Sequence, residues 1–126
     1  MKSILLVDDD LDLIEIYTEL LEQLGFSITS APDGQEALEL APRLQPDLII
    51  TDVSMPRMNG LELCRRLRSD EQLRDIPLII HSSEVDLLVP HGEVFLPKPC
   101  ELSALITRID QLLANSQDDP VLASVA

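Results

Sequence analysis

The sequence predicts an α/β domain in which a doubly wound, five-stranded parallel sheet is covered by helices on both faces. Three observations predict it. Short continuous apolar runs such as Ile4-Leu5-Leu6-Val7 and Leu48-Ile49-Ile50 read as strands buried on both faces. These runs alternate with stretches of helical period, and parallel strands need crossover connections, which supply covering helices. The chain has 126 residues, the size of one domain with a single core.

The first strand, Ile4 to Val7, stops at Asp8-Asp9-Asp10. Leu13, Ile16, Tyr17, Leu20 and Leu24 then recur at helical spacing, acidic residues occupy the first turn, and Gly25 marks the C-terminal cap. Phe26 to Ser30 is a weaker second strand. Ala31-Pro32-Asp33-Gly34 has turn chemistry, and the helical stretch around Gln35 to Ala41 is expected to end or kink at Pro42. Asp47 to Thr51 forms the third strand, closed by Asp52, and 54–60 is a loop with two breakers. Leu61, Cys64 and Leu67 give one apolar face to a third helix. Leu78 to His81 is the fourth strand and Val94 to Leu96 a short fifth. Leu102, Leu105, Ile106, Ile109, Leu112 and Leu113 pattern the last helix, and residues 116–126 lose the period and read as a mobile tail after a domain of residues 1–115.

Hydrophobic residues make up 45% of the chain, too many for intrinsic disorder. Nine Lys and Arg against 23 Asp and Glu give a net charge of −14, which repels phosphodiester backbones and anionic membranes, so direct nucleic-acid binding is not expected. No apolar run reaches the roughly 20 residues of a membrane span, and Met1-Lys2-Ser3 leads straight into a strand, so a cytoplasmic location without membrane insertion is expected. Cys64 and Cys100 fit neither a zinc pattern nor a disulfide framework and read as reduced thiols in helices.

In a doubly wound sheet the binding crevice lies beyond the carboxyl ends of the strands. The residues there are Asp8 and Asp9, with Asp10 at the margin, then Asp52, Ser82 and Lys98. Carboxylates brought together repel and raise one another's pKa unless a cation joins them. Oxygen-only ligands with few carboxylates suit Mg²⁺, which shares its remaining positions with water and phosphate. A cation, the Lys98 ammonium and the Ser82 hydroxyl around one carboxylate form a set of electrophiles for phosphoryl oxygens. Asp52, central in the sheet, is then the nucleophile that forms an acyl phosphate.

The motifs Leu5-Leu6-Val7-Asp8-Asp9-Asp10, Asp47 to Asp52 with Met55-Pro56 and Asn59-Gly60, Pro77 to Ser82, and Lys98-Pro99 resemble the receiver domain of two-component response regulators over residues 2–113. The resemblance implies the flavodoxin-like strand order 2-1-3-4-5 of the chemotaxis regulators. It implies that Asp9 and Asp52 are direct metal ligands, Asp8 a water-mediated one, and Ser54 the donor of a backbone carbonyl. Asp52 takes the phosphoacceptor role, Ser82 that of switch hydroxyl, Phe95 that of aromatic switch partner, and Lys98 pairs with the phosphate before a cis Lys98–Pro99 bond. It also implies a phosphohistidine donor on a sensor histidine kinase or histidine phosphotransfer protein, an unknown downstream protein that reads the switch, and catalysis limited to the domain's own phosphorylation and dephosphorylation. Against the family pattern, the segment between Ser82 and Lys98 is short and Pro90 interrupts it, so the fourth helix is shortened or missing, with only 83–89 able to be helical. With no effector domain following, a stand-alone receiver is expected.

Three other readings compete. A haloacid-dehalogenase-like phosphatase would use Asp8-x-Asp10 or Asp10-x-Asp12, but neither pair is followed by the Thr or Val of such motifs. A degenerate receiver acting as a constitutive interaction module would not need these motifs intact. Asp8, Asp10, Asp12 and Glu19 fall at EF-hand offsets, yet Leu13 stands where that loop needs Gly. His81 reads as a strand residue facing the helical cover rather than a phosphoryl carrier.

Overall fold

The computed structural model describes residues 1–84 and 87–116. Its elements are β1 (Ser3–Val7), α1 (Leu11–Gln23), β2 (Ser27–Ala31), α2 (Gly34–Leu44), β3 (Leu48–Thr51), α3 (Gly60–Arg68), β4 (Leu78–Ser82), β5 (Val94–Pro97) and α4 (Leu102–Ser116). All five strands pair in parallel in the order β2-β1-β3-β4-β5. The expected architecture and strand order are both present.

Alternation along the strands divides the core in two. Leu5, Val7, Ile49 and Ile80 face Ala37 and Ala41 of α2 and Leu63, Cys64 and Leu67 of α3. Ile4, Leu6, Ile50 and Ile79 face Leu21 of α1 and Leu105, Ile109 and Leu113 of α4. Burying each such side chain contributes about 1.5–3 kcal/mol, which accounts for why the central strands are apolar on both faces. No helix among the described residues is long and apolar enough to cross a membrane.

Side chains set the helix ends. Asp10 caps α1 by accepting from the amides of Asp12 and Leu13, and Gly25, at φ +97°, takes the left-handed position after it. Asp33 caps α2 and Asn59 caps α3, each accepting an amide hydrogen bond from the residue three places on.

Several sequence expectations need correction. Pro42 does not end α2, which continues to Leu44 before Gln45 turns left-handed at φ +47°. Pro42 lies on the exposed side of α2, where helix carbonyls tilt toward water and the loss of one intrahelical bond is tolerated. On α1 the buried face is that of Leu21, with Ile14 and Tyr17 packed beside it, while Ile16 and Leu24 are exposed. Cys64 is helical, but Cys100 lies in the turn before α4; both are free thiols.

Between β4 and β5 the described residues contain no helix; Val85 and Asp86, part of the stretch expected to be able to form one, lie outside them. Leu87 and Val89 pack on the α2–α3 side of the sheet. The expected tail from residue 117 onward also lies outside the described residues, whereas Ser116 closes α4.

Candidate functional site

β1 and β3 are neighbours in register, Val7 beside Thr51, so the residues that follow them emerge together. Asp8 is 3% exposed, Asp52 is half-buried and Asp9 is exposed. One carboxylate oxygen from each lies within 4.8 Å of those of the other two. Backbone hydrogen bonds from Asp8 to the Ala31 carbonyl and from Asp52 to the Val7 carbonyl fix where these side chains start.

Lys98 enters from the end of β5. Its Nζ lies 2.6 Å from Asp8 Oδ2 and 3.6 Å from Asp52 Oδ2. Its amide donates to the Ser82 carbonyl at 2.9 Å, tying the ends of β4 and β5 together, and the Lys98–Pro99 bond is cis as expected. Asp8 Oδ1 accepts the Asp10 amide at 3.0 Å, and Oδ2 holds Lys98. Asp52 Oδ1 accepts the Val53 amide at 2.7 Å.

Burial pushes the Asp52 carboxyl above its usual pKa range, and the negative charge of Asp8 adds to that; the Val53 amide and Lys98 oppose it. Three carboxylates against one ammonium leave an excess of negative charge in a half-buried pocket. The donor set, oxygen only and convergent, fits a hard divalent cation.

Asp10, at the margin of the expected cluster, does not belong to it: its side chain caps α1. Ser82 is buried, 1% exposed, and its Oγ accepts the Glu84 amide at 3.1 Å. Ser54 lies in the loop after β3 with its hydroxyl bonded to Glu84. Phe95 is half-buried in β5 opposite Ile80, packed toward the α2–α3 layer, and strand alternation puts Ser82 on that same face.

Some contributors carried no sequence signal. Glu84 reaches Ser54 across 30 positions, and Asp33, fully buried, pairs with Arg57, which adopts φ +66° in the loop after β3. Gly60 is legible in the sequence as a loop breaker and part of the Asn59-Gly60 motif, not as a residue that touches Asp52. A Cβ there would overlap the Asp52 carbonyl oxygen, and the Gly60 amide donates to the Val53 carbonyl at 3.0 Å. The glycine therefore lets α3 start directly against the backbone that carries Asp52.

Fold and site together define a parallel sheet with an acidic cluster, chemically suited to a hard cation, at its switch point. The family model of the response regulator receiver domain matches residues 4–110. Response regulator MprA of Mycobacterium leprae is 40% identical over 129 residues, covering 98% of this chain and 56% of that protein. The DNA-binding dual master transcriptional regulator RpaA of Synechocystis is 31% identical, covering 98% of this chain and 54% of its own length. The chain thus spans about half the length of the curated relatives it matches.

Among solved structures, the signal receiver domain of a signal transduction histidine kinase from Syntrophus aciditrophicus superposes with a TM-score of 0.88 at 32% identity, covering 94% of this chain and 95% of that one. Response regulator TrrA of Thermotoga maritima, in complex with Mg²⁺ and BeF, gives a TM-score of 0.81 at 28% identity, with 89% and 99% covered. The chain belongs to the response regulator receiver domain family, the phosphoacceptor modules of two-component signal transduction. The phosphatase alternative finds no support in these matches.

Proposed function

We propose that Asp52 is the phosphoacceptor of this receiver and that the unit comprises residues 1–115. The observation that carries the reading is the convergence of Asp8, Asp9 and Asp52, with Lys98 reaching both Asp8 and Asp52. An Asp52 carboxylate oxygen attacks the phosphorus of a phosphohistidine; the P–N bond breaks, and the electron pair leaves with the imidazole, which takes up a proton. Burial raises the basicity of that carboxylate, and the backbone amide of Val53 holds its other oxygen in place.

Asp9 and Asp52 are proposed to hold Mg²⁺ directly with the Ser54 backbone carbonyl, and Asp8 through water, as the family resemblance implies and in keeping with the Lys98 ammonium 2.6 Å from Asp8 Oδ2. When bound, the ion neutralises charge on the phosphoryl oxygens. Lys98 supplies an ammonium to the same oxygens, and Ser82 a hydroxyl whose approach carries the switch, with Phe95 following on the same sheet face. The donor is proposed to be a sensor histidine kinase or a histidine phosphotransfer protein, and the product is read by a downstream protein. The domain catalyses only its own phosphorylation and dephosphorylation.

The test is intact mass after incubation with Mg²⁺ and acetyl phosphate. One added phosphoryl group is expected, lost in Asp52→Asn and in chelator. An adduct that persists in Asp52→Asn overturns the assignment, and no adduct at all favours the constitutive interaction module.

A further inference from the structure

Buried His81 and half-buried Tyr17 form a pair that the phosphoryl chemistry above does not use. His81 precedes Ser82 in β4, is 1% exposed, and lies on the opposite sheet face from it, toward α1 and α4. Its Nδ1 is 2.8 Å from the Leu96 carbonyl oxygen of β5. A carbonyl only accepts, so Nδ1 carries the proton and Nε2 of the neutral ring is an acceptor. The Tyr17 hydroxyl, 2.9 Å away on α1, donates to it. The two rings stack with centroids 5.8 Å apart and planes 18° apart. Burial holds the His81 pKa below its ordinary value, which favours this neutral form.

The position of the bridge gives it a consequence. It joins β4 one residue before Ser82 to β5 two residues before Lys98, and joins both to the helix that starts just past Asp8 and Asp9. On the other face of β4 Ile80 packs against α3, but no helix among the described residues follows Ser82 before β5. On the His81 face a polar tie to the end of β4 comes from α1. We infer that the Tyr17–His81–Leu96 bridge sets where Ser82 and Lys98 stand relative to Asp52, which makes Tyr17 and His81 positioning residues for phosphoryl transfer. This rests on the assignment of Asp52 as phosphoacceptor.

A displacement of about 1 Å can cost on the order of a hundredfold in rate where catalysis is mostly positioning. Tyr17→Phe keeps the ring stack and removes one hydrogen bond, and is expected to slow phosphorylation by acetyl phosphate at saturation about fivefold, the rate equivalent of ~1 kcal/mol. Half-saturating Mg²⁺ and donor concentrations should not move, which separates positioning from general loosening. His81→Leu should slow the reaction at least as much, and the double variant should be no slower than His81→Leu, because one bridge is broken once. In ¹H–¹⁵N spectra of Tyr17→Phe the amide signals of Ser82 and Lys98 should shift while that of Val53 stays. A Tyr17→Phe rate equal to wild type, or a double variant in which the two effects multiply, overturns the inference. If wild type gains no phosphoryl group, the Asp52 assignment fails instead, and unmoved Ser82 and Lys98 signals would then overturn the bridge independently.

Discussion

Two connections border the same site and are built differently. The loop after β3 is locked at nearly every position. Val53 and Met58 are 5% and 6% exposed, the Met58 carbonyl accepts the Gly34 amide at 3.0 Å, Arg57 pairs with the buried Asp33, and Asn59 caps α3. The described part of the connection after β4 has fewer ties. Leu87 and Val89 touch the core, Leu88 is 91% exposed, and Glu93 is gripped by Arg68. The difference separates two tasks. The side of the site that presents the carboxylates is pinned by two buried side chains and several hydrogen bonds, and the side proposed to answer to phosphorylation is tethered at fewer points, as elements that move are drawn from the less stable parts of a fold.

The same substitution made in each connection gives the largest expected contrast. Gly60→Ala drives a Cβ into the Asp52 carbonyl, a backbone group already committed to the Thr51 hydroxyl at 2.8 Å. It should cost about 3 kcal/mol or more in urea unfolding and abolish phosphorylation. Gly92→Ala meets open space and pays only for its left-handed φ of +89°, about 1–2 kcal/mol. Equal costs at the two sites would erase the distinction between a locked and a tethered connection.

Next in size is the tether. Arg68 Nε and Nη2 hold Glu93 at 2.7 and 2.9 Å, and Arg68 Nη1 also donates to the Arg74 and Ile76 carbonyls. Chiefly through the Arg68 hydrogen bonds, the Glu93 carboxyl is held below its usual pKa. A carboxylate whose folded pKa is depressed stabilises fully above its unfolded value, about 4.3, and that contribution is lost as pH falls through the lowered folded value. Glu93→Gln should therefore cost ~1–2 kcal/mol at pH 7. The gap to wild type should close in acid, and a gap that stays constant down to strongly acidic pH would remove the ion pair as its cause.

How much of this was legible follows from what a sequence encodes locally. Apolar runs that stop at Asp8 and Asp52, and the polar ends at Ser82 and Lys98, predict the site because strand topology alone brings strand ends together. Asp10 has the same chemistry as its neighbours, and only the start of α1 decides that it caps rather than joins the cluster. Periodicity gave α1 its spacing but not its phase. Apolar residues occur on two overlapping stripes, and only the sheet selects Leu21 over Ile16 and Leu24. The pairs Asp33–Arg57, Ser54–Glu84 and Arg68–Glu93 join charged or polar residues that read as solvated, because contacts across 24 to 30 positions leave no local pattern.

The smallest effect probes the segment in which the fourth helix is expected to be shortened or missing. Leu87, Leu88 and Val89 alternate between half-buried, exposed and half-buried, the period of extended chain rather than of a helix. Leu87 and Val89 pack beside the cluster formed by Leu5, Ile49 and Ile80, covering the face that a crossover helix would otherwise cover. Leu87→Ser gives up that contact and should lower stability by ~1–2 kcal/mol. Leu88→Ser, on a side chain that is 91% exposed, should change it by less than about 0.5 kcal/mol in thermal unfolding. Equal losses at both positions would mean that Leu88 also packs, which an extended segment lying on the sheet does not allow, so the extended reading of residues 87–89 would fall.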